Sequence, residues 1–251
     1  MINWSAIGDQ VSQDIDNQID ILYHLGFKYI EIRKISNRFI YEYSDKSIQK
    51  ISKKLADIGM RCSCVSTDIG KRADVNFDYF FKCIDYAKML HAPYVRVFGG
   101  FFTKHRQLIN YALKYAENAN IMLLIENEYE TNIQTPADII KLFKEFGNLR
   151  LLFDAGNAYR SGMDYTMFFK TVYSYISYIH LKDINLENSK QIGTFIGKGQ
   201  LKVLQMIKDL SLFGYSGFIS LEPYVYLGED PQRRQKVFIS YWENIKKKVE
   251  L

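Results

Sequence analysis

Short apolar runs alternate with longer amphipathic segments along the whole chain. The runs predict strands over Ile2–Ile7, Tyr29–Arg33, Arg61–Thr67, Tyr94–Phe98, Ile121–Asn127, Leu151–Asp154, Tyr178–Lys182 and Phe218–Glu222. Between them the apolar positions recur every three or four residues, the spacing of one helical face. In QIDILYHLG, Ile19, Leu22, Tyr23 and Leu25 share a face and Gly26 ends it. In SIQKISKKLADIG, Ile48, Ile51, Leu55 and Ile58 do the same before Gly59. FDYFFKCIDYAKML and TPADIIKLFKEFG repeat the form, the second with Thr135 as N-cap, Pro136 at the first helical position and Gly147 as the stop.

Eight strand–helix units in 251 residues make an α/β chain. Strands separated by helices pair in parallel, and eight is the number that closes such a sheet into a (β/α)8 TIM barrel. The expectation is a single eight-stranded parallel barrel domain spanning residues 1–251. An open doubly wound sheet uses the same units, but no G-x-G-x-x-G follows the first strand, which disfavours a dinucleotide fold. With only four prolines and no Ser/Gly tract, nothing reads as a linker.

Composition narrows the function classes. The chain is 47% hydrophobic and 24% charged, an ordinary balance for a soluble globular protein. A net charge of +5 is spread along the chain, and its densest cluster, Lys246 to Lys248, suits a solvated helix C-terminus, so nucleic acid is not an expected partner. Cys62, Cys64 and Cys83 form no disulfide framework and read as reduced, buried thiols in a cytoplasmic protein. The N-terminal stretch lacks the form of a signal peptide, and no run of about 18 apolar residues calls for a membrane.

The chemistry enters at the strand ends, where barrels of this kind carry their active sites. LLFDAGN runs an apolar segment into Asp154, and the gesture recurs: IMLLIEN reaches Glu126, YISYIHLKD reaches His180 and GFISLEP reaches Glu222. A buried carboxylate must be paired, hydrogen-bonded or bound to a metal. One residue from each of four successive strands can converge on one point, where three carboxylates would repel one another unless a divalent cation joined them. A mainly oxygen set with one imidazole suits Mn²⁺ or Mg²⁺, with Zn²⁺, Co²⁺ or Fe²⁺ as further candidates. Of the other histidines, His24 falls within a helix, His91 in a loop at the far end, and His105 after the fourth strand.

LLIENE, LLFDAGNA, YIHLKDIN and GYSGFISLEP together resemble the sugar phosphate isomerase/epimerase group of the xylose-isomerase-like barrels. GFKYIEIR, YVRVFGG and IGKGQLKVLQMIKDLSLFGYSG extend the likeness over nearly the whole chain. The resemblance implies that Glu126, Asp154, His180 and Glu222 hold one metal ion. It also implies that Glu126 and Glu222 act as an acid/base pair on a small carbohydrate or polyol, through an enediolate, in an isomerase or epimerase. Three departures lie near the expected substrate. Asn157 and Glu128 stand where relatives often have histidine, and Gly197-Lys198-Gly199 where Gly-Glu-Gly is frequent. Asn157 and Glu128 are therefore candidate substrate contacts.

Lys182, two residues past His180, faces the same way and is a further candidate. Glu31 and Arg96 end strands two and four, whose interior residues share a layer, so they are expected to meet as an ion pair, with Arg96 also a candidate for substrate contact. The glycines and Lys198 sit where many barrels bind phosphate. Trp4, Phe101, Phe102 and Tyr224 are placed near the rim. Alternatives to an isomerase are a lyase of the same fold, either an inosose-type dehydratase or a 3-keto-sugar deglycosylating enzyme, and a non-catalytic sugar-binding barrel that keeps the metal. A DNA-repair endonuclease of this superfamily would need more histidines than the four present. Homo-oligomerisation is left open.

Overall fold

Every apolar run named above becomes a strand, shifted at its ends by no more than two residues. The computed structural model describes residues 2–71, 75–104, 106–188, 190–225 and 230–249. Its centre is β1 (Asn3–Ala6), β2 (Tyr29–Ile32), β3 (Arg61–Ser66), β4 (Tyr94–Phe98), β5 (Met122–Glu126), β6 (Leu149–Asp154), β7 (Ile176–Leu181) and β8 (Phe218–Leu221). Each strand from β2 to β8 pairs in parallel with the next, and β8 pairs with β1. A parallel bridge from Ile7 to Glu31 holds the seam between β1 and β2, so the sheet is a barrel rather than an open, doubly wound one.

The helices are α1 (Ile15–His24), α2 (Asp45–Asp57), α3 (Phe77–Met89), α4 (Arg106–Asn118), α5 (Pro136–Phe146), α6 (Ala155–Arg160), α7 (Tyr165–Val172), α8 (Val203–Leu212) and α9 (Pro231–Val249). Their apolar faces bury Ile19 and Leu22, Ile48 and Leu55, and Ile139 and Leu142 against the outer side of the sheet. Fully burying such a side chain contributes about 1.5–3 kcal/mol, enough in aggregate to offset the ordering of the chain. α5 opens as its sequence predicts: Thr135 accepts from the Asp138 amide, Asp138 accepts from the Thr135 amide, and Gly147 ends the helix at φ 65°.

The barrel interior changes character along its axis. At the entrance end of the strands Leu124, Leu152 and Tyr178 form an apolar plug, against which Tyr94 and Phe218 pack. Above it, Ser5, Ser63 and the Tyr178 hydroxyl hydrogen-bond in series. At the exit end the interior is charged. A bulge contributes to this layering: β3 sets Cys62 beside Ile30 but Cys64 beside Glu31, with Ser63 as the extra residue. Cys62 therefore packs in the helix-facing core and Cys64 inside the barrel, both buried as expected.

Two antiparallel ribbons rise from the exit ends of β2 and β7, pairing Lys34–Ile35 with Arg38–Phe39 and Asp183–Glu187 with Lys190–Thr194. They wall the mouth of the barrel.

Candidate metal centre and active-site cleft

Strand register brings the four end residues together. Asp154 on β6 lies level with His180 on β7, and the Glu222 amide bonds to the Leu181 carbonyl. Glu126, Asp154 and His180 each offer one ligand atom, all within 4.8 Å of one another. Glu222 joins them: His180 Nδ1 lies 3.6 Å from Glu126 Oε1, 4.0 Å from Asp154 Oδ2 and 3.5 Å from Glu222 Oε2. All four side chains are buried, His180 and Asp154 almost completely.

The local chain explains each placement. Asp154 caps α6: its Oδ1 accepts from the Asn157 amide at 2.9 Å, which leaves Oδ2 pointing inward. Asn127 clamps the same residue, its Oδ1 accepting from the Asp154 amide and its Nδ2 donating to the Asp154 carbonyl. Glycine at position 156 leaves room for Lys182: a β-carbon there would come within 2.7 Å of Lys182 Cε and 3.2 Å of Asp154 Oδ1, so the lysine would have to move from its present place. LLFDAGN is thus a strand, an inward-facing carboxylate, a cap and a clearance for a lysine.

Each carboxylate also has a cation. Arg96 Nη1 is 3.2 Å from Glu126 Oε2, and Asn157 Nδ2 donates to Glu126 Oε1. Lys182 Nζ lies 2.7 Å from Asp154 Oδ2 and 3.2 Å from Glu222 Oε2. Arg33 donates to Glu222 Oε1 and, through Nε and Nη2, to Asp9. Burial alone would raise every one of these carboxyl groups. For Glu222, Lys182, His180 and Arg33 outweigh burial and hold the group far below the usual carboxylate range. For Glu126, Arg96 and His180 do the same. Asp154 differs: burial, with Glu222 and Glu126 beside it, overcomes Lys182 and pushes it up to about 6. Burial works against a charged His180, yet Glu31, Glu222 and Glu126 push it up to about 10.

The residues fit a divalent cation. Nδ1 of His180 is buried with no hydrogen-bond partner among the described residues, and it faces three carboxylates. Glu31, Asp9, Glu126, Asp154 and Glu222 are five carboxylates against the three cations Arg33, Arg96 and Lys182. Without an ion the raised His180 supplies part of the positive charge these carboxylates lack, and a bound divalent ion would take that place with His180 neutral. Carboxylate oxygens and one imidazole nitrogen are a hard donor set, of the kind that Mg²⁺ and Mn²⁺ accept.

Above this floor opens a cleft of about 770 Å³, lined by all four predicted contacts, Asn157, Lys182, Arg96 and Glu128. Glu128 is held by Lys71 at 2.9 Å, and Asn157 Oδ1 accepts from Gln191 on the second ribbon. One expectation is corrected. Glu31 does not pair with Arg96. Glu31 instead faces His180 and Ser66, and Arg96 pairs with Glu126. The Gly197-Lys198-Gly199 loop offers no open amides to phosphate, because the Asp183 carboxylate already accepts from Gly197, Gly199, Leu201 and Ile184. Of the rim aromatics only Tyr224 lines the cleft. Trp4 packs on Trp242, Phe101 is fully buried in the helix-facing core, and Phe102 packs on Phe146. Arg33, Asn127 and Gln191 were missed. For Arg33 the signal was present, since period two puts it on the same side as Glu31. His105 lies outside the described residues.

A parallel eight-stranded barrel with a carboxylate–imidazole cluster at the exit ends of its strands defines the class. Over residues 19–238 the chain matches the xylose isomerase-like TIM barrel family, and it belongs to that family. No curated protein matches it in sequence. Solved structures share the fold at low identity. The D-allulose 3-epimerase from Methylomonas sp. superposes with a TM-score of 0.76 at 13% identity, covering 98% of this chain and 97% of its own. The probable 3-DHS dehydratase AsbF from Bacillus anthracis gives 0.75 at 15%, covering 95% and 98%. The 3-keto-D-glucoside 4-epimerase YcjR from E. coli gives 0.73 at 12%, covering the whole of both chains.

Proposed function

We propose that this protein is a divalent-metal-dependent isomerase or epimerase of a small sugar or polyol, with Glu126 and Glu222 as its acid/base pair. The observation that carries the reading is the convergence of three carboxylates on the unpartnered Nδ1 of His180 at the floor of a cleft. Glu126, Asp154, His180 and Glu222 would hold the ion, which when bound supplies Lewis acidity toward a substrate oxygen and so acidifies the neighbouring C–H.

The chain's own residues do the rest. Arg96 and Asn157 fix Glu126 from two sides, and Arg33 and Lys182 fix Glu222. Glu126 comes from β5 and Glu222 from β8, so a substrate carbon between them presents a different face to each. One carboxylate takes the proton from carbon, and the other returns a proton that it has gained from solvent in the cleft; the first then releases its own to solvent, which restores the pair for the next turnover. Return to the opposite face inverts the centre; return to the adjacent carbon moves the carbonyl. Well-placed general acids and bases contribute roughly 10²–10⁴-fold. Asn157, Glu128 and Lys182, polar and on the cleft wall, are placed to hold substrate hydroxyls.

A lyase is the second reading, favoured by Lys182. Its ammonium, 3.2 Å from Glu222 and on the cleft wall, would hydrogen-bond a departing hydroxyl and stabilise the charge that develops on it. The test is deuterium wash-in: Mn²⁺-loaded protein with a panel of ketoses, inososes and 3-keto sugars in D₂O. Carbon-bound deuterium that disappears in both E126Q and E222Q supports the isomerase, and a product lacking water supports the lyase. Metal-loaded protein that exchanges no carbon-bound hydrogen on any substrate refutes both.

A further inference from the structure

Glu31 is fully buried beneath the cleft floor, on the side of the His180 ring away from the three converging carboxylates. Its Oε1 and Oε2 lie 3.0 and 3.2 Å from His180 Nε2. The Ser66 hydroxyl donates to Oε1 and the Tyr178 hydroxyl donates to Oε2 at 3.0 Å. Tyr178 is itself held by Ser63, and Ser63 by Ser5, so the carboxylate rests on a column of hydroxyls through the barrel. Glu31 cannot reach a substrate. A buried carboxylate at this depth is costly and calls for an account of what it does.

A neutral imidazole carries its one proton on either nitrogen. With the proton on Nδ1, an N–H would point at Glu126, Asp154 and Glu222, and no ion could be held there through nitrogen. With the proton on Nε2, the Nδ1 lone pair faces them. An ionised carboxylate only accepts, so beside Nε2 it admits the second form alone. We propose that Glu31 is a positioning residue that fixes the tautomer and orientation of His180, and thereby makes Nδ1 a metal ligand. Carboxylate partners of ligating histidines act in this way in metal sites generally. The Ser66 and Tyr178 hydroxyls both donate to Glu31, which leaves its oxygens to accept from Nε2 as well. The inference rests on the metal site proposed above.

The test compares wild type, E31Q and Y178F as full-length chains. Mn²⁺ affinity is measured by titration calorimetry, and His180 is observed by long-range ¹H–¹⁵N spectra of the Zn²⁺-loaded proteins. The E31Q amide can either donate to or accept from Nε2, so the tautomer is no longer dictated. Mn²⁺ binding should weaken by roughly 10–100-fold, and the single Nε2-protonated pattern of wild type should give way to a mixture. Y178F keeps the charge and removes one hydrogen bond, for a loss of roughly 2–10-fold. It carries the test should E31Q fail to fold. E31Q and Y178F both binding Mn²⁺ within twofold of wild type, or a wild-type spectrum with the proton on Nδ1, overturns the inference. A wild type that takes up no Mn²⁺ overturns instead the metal reading beneath it.

Discussion

Lys182 sets up a competition whose sign can be worked out. Its ammonium lies 2.7 Å from Asp154 Oδ2 and 3.2 Å from Glu222 Oε2, two of the oxygens that an ion would use. Replacing it by methionine keeps the bulk of the stem and removes the charge. Breaking a buried ion pair by deleting one partner costs about 3–5 kcal/mol. Asp154, already pushed up to about 6, takes a proton once Lys182 is gone, which holds the loss near the lower end. At about 2–4 °C per kcal/mol for a chain of this size, K182M in chelator should melt roughly 6–12 °C below wild type. Metal binding moves the other way. Two unit charges about 4 Å apart interact by about 4 kcal/mol at an effective dielectric near 20, and the ion carries two. Relaxation of the lysine away from the ion removes most of that. A sixth of it, about 1.4 kcal/mol, is still a tenfold change in affinity. K182M should therefore bind Mn²⁺ at least tenfold tighter than wild type by calorimetry near pH 8, and Mn²⁺ should restore its melting temperature. A variant that binds as weakly as wild type, or more weakly, would show that the ammonium assists the ion and would refute this reasoning.

Three further outcomes are expected. E126Q and E222Q should each lower turnover by roughly 10²–10⁴-fold and also lower the melting temperature of the chelated protein, since each leaves buried cations, Arg96 in the first and Arg33 and Lys182 in the second, without a charged partner; full activity in either variant would remove that residue from the chemistry. Burial pushes the Cys62 thiol up to about 12, and Cys64 and Cys83 are driven up by the same cause, so a thiol reagent near pH 8 should modify none of the three cysteines in the native protein and all of them in denaturant; rapid native labelling would contradict their placement. Slight burial works against the Asp138 carboxylate, but the Thr135 hydroxyl and the Thr135 and Gln134 amides lower its pKa, so its contribution is present above the ordinary aspartate range and is lost as pH falls through the lowered value. D138A should melt about 1–4 °C below wild type at pH 7, from a capping contribution of roughly 0.5–1 kcal/mol, and the gap should close in acid; a gap that persists at pH 2 would assign it to something other than the charge.

Periodicity carried the barrel because each strand–helix unit is a local pattern. A period of two or of 3.6 is written in neighbouring residues, and eight repeats leave little choice of closure. The strand-end cluster was legible for the same reason: Glu126, Asp154, His180 and Glu222 each break an apolar run at the same phase of the unit. The ribbon after β2 was hidden because it is short. It turns through Ser36 and Asn37, both at positive φ, the backbone of a tight hairpin, but its two strands have only two residues each, too few for alternation to register. What fails from sequence is pairing across the barrel. Glu31 and Arg96 sit on strands two apart, and the layer rule alone joins them. A single extra residue, Ser63, shifts the register of β3 against β2 between Ile30 and Glu31, and Glu31 finds His180 and Ser66. Arg96 is then left to Glu126, and Lys182 and Arg33 to Glu222. The bulge thus accompanies the loss of the expected Glu31–Arg96 pair. No composition or period could have announced it, because a bulge is decided by which of two faces buries its side chains better, and that depends on the six other staves.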